Sequence, residues 1–125
     1  KFSTPDEVPA GRARTRHFSS QRELARHGEP GAEAETFAAI AQIRAVAEEL
    51  GVPMHHLALA WLLRQPGVAC VLAGMRNRQQ ALDNIAAGEL ELPDEVVKRL
   101  SAVTGELKHK LGPNPDMWQG DSRIR

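Results

Sequence analysis

From residue 33 onward apolar positions recur at three- and four-residue steps, the period of a helix, and this pattern is interrupted by one continuously apolar run. Between 33 and 50, Phe37, Ile40, Ile43, Ala47 and Leu50 fall on one side, with Gln42, Arg44, Glu48 and Glu49 facing away, which predicts the clearest amphipathic helix of the chain. Gly51 is placed to end it. Val52-Pro53 restarts the chain, and a second helix over about 54–64 carries Leu57, Ala58, Ala60, Trp61, Leu62 and Leu63, apolar nearly all round and so expected to be buried. A Gln65-Pro66-Gly67 turn leads into residues 68–73 (Val-Ala-Cys-Val-Leu-Ala). An unalternating run of this length predicts a strand covered on both faces, the kind found in parallel sheets. A short helix follows over 77–87, with Leu82, Ile85 and Ala86 on its inner side. A last helix opens at Pro93-Asp94-Glu95 and is lined by Val96, Leu100, Val103, Leu107 and Leu111. Gly105 weakens its middle by about 1 kcal/mol relative to alanine, which favours a bend or fraying there.

The first 32 residues break this order. They hold Pro5, Pro9, Pro30, Gly11, Gly28, Gly31 and several arginines, and read as a loop with a helical turn around 21–26. Arg12, Arg14 and Arg16, two apart, form either a solvated basic stretch or a clamp for a phosphate-bearing ligand. The class is therefore α/β but strand-poor, since a lone strand has no visible partner. Sixteen basic residues balance sixteen acidic ones, which gives no general pull toward nucleic acid or an anionic membrane. No apolar run is long enough to span a membrane, and a cytoplasmic location is the default expectation. The single cysteine, Cys70, lies in the apolar run and reads as a small buried hydrophobe. The chain starts at Lys1 without a methionine, which suggests a fragment or processed product, and it contains no tyrosine.

Chemistry concentrates just after the strand. Gly74 leaves the backbone open to a ligand, Arg76 supplies a cation, and Gln80 and Asn84, four apart, share one helix face. Together with a helix N-terminus these groups suit a nucleotide that carries a phosphate, the amides facing a base edge; a solvated outer helix face explains the same spacing. His55 and His56 are adjacent on a helix and so point about 100° apart, which argues against a metal site.

At this point the residues resemble a known family. Leu59-Ala60-Trp61-Leu62, Gln65-Pro66-Gly67-Val68, Val71-Leu72-Ala73-Gly74-Met75-Arg76-Asn77, Asp83-Asn84 and Leu90-Glu91-Leu92 before Asp94-Glu95 are similar to the C-terminal part of an aldo-keto reductase, and Lys1-Phe2 resembles the end of the segment after its seventh strand. Ala73, Asp83 and Pro93 depart from the usual proline, glutamate and Ser/Thr. The resemblance implies the last third of a (β/α)8 TIM barrel, mostly helical with one or few short strands. It lays the chain out as a mobile cofactor loop (1–32), the helix-seven region (33–64), strand eight (67–74), helix eight (77–88), a final helix (93–111) and a tail (112–125). It also implies NADP(H) as cofactor, with Arg76 on the 2′-phosphate and Gln80 lining the adenosine. Asn84, beside Asp83, would meet the adenine, Gly74 and Met75 would lie against the ribose-phosphate, and Arg12 would fold over the pyrophosphate. The tail around Trp118 would lie near the substrate opening.

The family transfers hydride to aldehydes or ketones with a tyrosine as proton donor, so without tyrosine this chain alone is expected to hold no catalytic residue and to be inactive. Its partners are then NADPH and a small carbonyl compound in a parent protein, with no nucleic acid, membrane or metal. Two other readings compete. One is a non-catalytic helical interaction module; the other is a helix-turn-helix over 40–63, whose would-be recognition helix is too apolar to read bases. A chain with one unpaired strand exposes apolar faces, and self-association is expected.

Overall fold

The structure, a computed structural model, describes residues 2–114. Its elements are a short 3-10 turn at Pro5–Glu7 and five helices: α1 (Glu33–Glu49), α2 (Met54–Leu63), α3 (Arg78–Glu89), α4 (Asp94–Val103) and α5 (Gly105–Leu111). The described residues divide into two compact units, one of residues up to Ala41 together with those from Thr104 onward, the other Gln42–Val103. The first expectation to be corrected is the strand. Residues 68–75 have no regular structure, and no strand occurs among the described residues. A helix pairs its own amides with its own carbonyls, whereas a strand must borrow both from a neighbour, and none of the described segments supplies one.

In the unit Gln42–Val103, each boundary has a local cause. Gly51 adopts φ +65°, and the amides of Gly51 and Val52 return to the carbonyls of Glu48 and Ala47 at 3.1 and 3.0 Å. This is the paired arrangement of a Schellman ending, which satisfies two carbonyls that α1 leaves open. After α2, Gly67 at φ +81° and the bond from the Val68 amide to the Gln65 carbonyl close a turn with Pro66 in second place, the geometry of a type II turn. Pro93 caps α4 through its carbonyl, which accepts from the Val96 and Val97 amides. Arg64 brackets this start by donating to the Leu92 carbonyl and to Asp94 Oδ1, both at 2.5 Å.

The core of this unit gathers Val46 and Ala47 of α1, Leu57 and Ala60 of α2, and Leu92 and Leu100. Trp61 closes one side and donates through Nε1 to Ser101 Oγ at 3.1 Å, so its polar atom stays paired while its rings pack. Arg99 and Glu49 form an exposed ion pair at 2.7 Å between α4 and α1. Helix α3 packs on α2 but buries little beyond Ala87. Leu82, Ile85 and Ala86, expected on its inner side, are exposed, Ile85 to 59 %. The all-round burial expected of α2 is also incomplete, because Ala58, Leu62 and Leu63 are exposed. Cys70 is exposed rather than buried, and Leu72 is 97 % exposed. Of these, Leu63, Leu72 and Ile85 line one apolar cleft beside the run.

Two further expectations are refined. In α1 the buried residues are Thr36, Ala39, Val46 and Ala47, while Phe37, Ile40 and Ile43 are half-buried and Leu50 is exposed, so the inner stripe is rotated from the one read in the sequence. The amphipathic division is far sharper in α4. The final helix of 93–111 is two helices, interrupted at Thr104 immediately before Gly105, in keeping with the local weakness of glycine.

In the other unit the arginine-bearing loop is held by buried and half-buried ion pairs. Arg16, 4 % exposed, donates through Nε to Glu29 Oε2 at 2.8 Å and through its other nitrogens to the carbonyls of Leu111 and Asn114. It therefore ties the loop to the negative end of α5. Gly31, at φ +86°, passes so close to Phe18 that a Cβ would stand 2.4 Å from its carbonyl carbon. Lys110 pairs with Glu35. Glu33 accepts from Arg22 Nε, Arg22 Nη2 and the Ser19 amide, each at 2.7 Å. The Arg22 hydrogen bond holds the Glu33 carboxyl below its ordinary value of 4.5, against an opposing push from burial, and the same bond raises Arg22.

Two outcomes follow. A lowered folded-state value means that the Glu33 pair stabilises fully above about pH 4.5 and loses that contribution as pH falls through the folded value. The thermal midpoint of the wild type minus that of Glu33→Gln should therefore shrink on acidification below this point. The exposed run should also drive self-association: sedimentation coefficients should rise with concentration for the wild type and less for Leu72→Asp. Concentration-independent monomer in both would contradict this.

Candidate functional site

The turn after the apolar run builds a polar site from local hydrogen bonds. Asn77 caps α3, its side chain accepting from the Gln80 amide at 2.9 Å. Gln80 reaches back in turn, and its Oε1 accepts from the Arg76 amide at 2.7 Å. This reciprocal pairing is a capping box shifted one residue outward, and it fixes the backbone of 76–77 against the first turn of α3. It also engages the carbonyl end of the Gln80 amide, which sequence reasoning had free to face a ligand. Arg76 and Arg78 are exposed beside the positive end of this helix, so the entrance to α3 combines two guanidinium groups with a partial positive dipole.

Gly74, Gln80, Asp83 and Asn84 line one cleft of about 380 Å³, together with His55. Four of the seven residues singled out in the sequence thus converge. At Gly74 an added Cβ would meet nothing within 4 Å, so the packing of the chain itself does not call for glycine there. Asn84 carries the most telling atom: its Nδ2 is buried and finds no acceptor within the described protein. A buried amide donor without a partner costs roughly 1–3 kcal/mol, and Asn84 is one of the residues that line the cleft. Met75 is 55 % exposed and lines a second, apolar cleft of about 510 Å³ with Leu59, Leu63, Leu72 and Ile85. Arg12 belongs to the other unit, where its guanidinium stands 6.0 Å from the centroid of the Phe2 ring. Trp118 lies outside the described residues.

One grouping was missed. His55 Nε2 and His56 Nε2 both lie 4.0 Å from the Asp83 carboxylate, on Oδ2 and Oδ1 respectively. Adjacency on one helix had argued against a shared ligand, but α3 places Asp83 between the two diverging rings. Nothing in the spacing of 55, 56 and 83 could have shown this.

The apolar run, the Gly-Met-Arg-Asn step and the amide-bearing helix that follows it occur together, and a family model matches residues 7–104, that of the Aldo/keto reductase family. The chain belongs to the aldo/keto reductase family. The resemblance read from the sequence is thereby confirmed at the level of family, whose parent fold is a barrel. Among curated proteins, the chain is similar to a "Putative voltage-gated potassium channel subunit beta" of Schizosaccharomyces pombe, 32 % identical over 66 residues. That match covers 51 % of this chain and 19 % of the relative. It is also similar to a "Probable voltage-gated potassium channel subunit beta" of Oryza sativa subsp. japonica, 35 % identical over 63 residues, 49 % of this chain and 19 % of that protein. The chain thus spans about a fifth of the length of the curated relatives it matches. Among the described residues no helix is long and apolar enough to cross a membrane.

Asn77→Ala removes the cap that orders the entrance to α3. It should lower stability by about 1 kcal/mol, and amide exchange should accelerate selectively over the first turn of α3 while α4 is unchanged.

Proposed function

We propose that this chain is the C-terminal, cofactor-binding portion of an NADP(H)-dependent reductase barrel that acts on aldehydes or ketones. The observation that carries the reading is the buried, partnerless Nδ2 of Asn84, a residue that lines the cleft with Gly74, Gln80 and Asp83. A purine edge offers ring nitrogens as acceptors, the complement of such a donor. Arg76, exposed next to the positive end of α3, suits the 2′-phosphate that distinguishes NADPH from NADH. The missing Cβ at Gly74 leaves room for the ribose-phosphate, with Met75 beside it. The residues present therefore fit the adenosine half of the cofactor. Arg12 in the family layout would cover the pyrophosphate.

When bound, the cofactor supplies the hydride. The residues of this chain bind and orient the far end of the dinucleotide and fix its phosphate charge. They contribute no proton donor of the family's kind, because the chain contains no tyrosine. In this reading the segment 67–74 is strand eight of the barrel, and it pairs when strands from elsewhere in a parent protein flank it.

The reading is tested on the adenosine half alone. Adenosine 2′,5′-bisphosphate should shift the side-chain amide resonances of Asn84 and the backbone amides of 74–80, and adenosine 5′-monophosphate should do so more weakly. Arg76→Ala should cost the bisphosphate about tenfold or more in affinity, since a hydrogen bond to a charged group contributes roughly 1.5–3 kcal/mol. Equal binding of the two nucleotides, or no shift across 74–84, would remove Arg76 and this cleft from the proposed role.

A further inference from the structure

His55 and His56 open α2, and Asp83 lies midway along α3, the helix packed against it. One ligand atom from each lies within 4.8 Å of the other two. The imidazole rings stand edge to face, their centroids 4.5 Å apart and their planes inclined at 79°, so both Nε2 atoms turn toward the carboxylate instead of stacking apart. His56 Nε2 is buried and finds no hydrogen-bond partner in the described protein. Asp83 Oδ1 accepts from the Gln79 side-chain amide at 3.0 Å, which orients the carboxylate in the way outer-shell groups orient metal ligands. His55 is more than half exposed and leaves an open approach from solvent.

We propose that His55, His56 and Asp83 form a binding site for a divalent transition-metal ion of the zinc class. Two imidazoles and a carboxylate match the nitrogen and oxygen donors such ions prefer, with water completing the shell. Ligand atoms around bound zinc lie ~3.3 Å apart, as its ~2.0–2.1 Å bonds require, so the present group, within 4.8 Å, contracts on binding. The carboxylate is essential in this arrangement. Both histidines lie in the first turn of α2, whose positive dipole end opposes a cation, and Asp83 supplies the offsetting negative charge. The site shares His55 and Asp83 with the wall of the adenosine cleft, yet it stands independently of the cofactor reading, since no nucleotide is needed to fill it.

The test uses the full 125-residue chain, freed of metal by a chelator and titrated with zinc chloride in the absence of nucleotide. One equivalent should bind, and His56→Ala and Asp83→Asn should each weaken binding by about a hundredfold, at least the loss seen when supporting shells are removed. His109→Ala should bind as the wild type does. Undiminished binding in both ligand variants overturns the proposal. If those variants fail to fold by circular dichroism, the wild type decides: added cobalt(II) should shift the ring protons of His55 and His56 and leave those of His17, His27 and His109 in place. A sulfur-to-cobalt charge-transfer band, marking Cys70 as the ligand, or no cobalt binding at all, overturns it equally.

Discussion

The structure depends on a difference in how backbone hydrogen bonds are met. A helix closes its ladder within its own residues, and the five helices of the described residues form where apolar periodicity and end signals permit. The run 68–75 has the composition of an interior strand, and its amides and carbonyls must be met by other chains of atoms. Without flanking strands it lies open, with Leu72 almost wholly exposed and Cys70 at the surface. An apolar cleft lies beside it, lined by Leu59, Leu63, Met75 and Ile85.

The polar site survives because its geometry is local. Asn77 and Gln80 lock the entrance to α3 through bonds that span three and four residues, and no sheet is needed to form them. Gly74, Asp83 and Asn84 then follow from the pitch of one helix and the turn before it. In the loop before α1, Arg16 and Arg22 add ion pairs and carbonyl contacts to a few buried apolar residues, Val8, Ala13 and Ala32.

Much of this was legible in the residues. The helix after Pro53, the stop at Gly51, the turn at Pro66-Gly67 and the weakness at Gly105 were read from short-range rules, and each is met by a hydrogen bond, a dihedral angle or a helix break. The convergence of Gly74, Gln80, Asp83 and Asn84 was legible for the same reason. Burial was less so. Leu82 and Ile85 lie on the expected face of α3, but whether a face is covered depends on what lies opposite it. In α1 it is Ala39 and Val46 that are buried while Phe37 and Ile40 are only half-buried, again because coverage is decided by what lies opposite each position.

By itself the sequence determined the helices, their ends and the capped polar turn, since these follow from interactions among residues a few positions apart. It also determined the family, through motifs spread along the chain. Tertiary structure alone decided which apolar faces are covered, that the apolar run stays unpaired, and that His55, His56 and Asp83 meet across two helices. Those outcomes depend on contacts between residues far apart in the chain, and no local period records them.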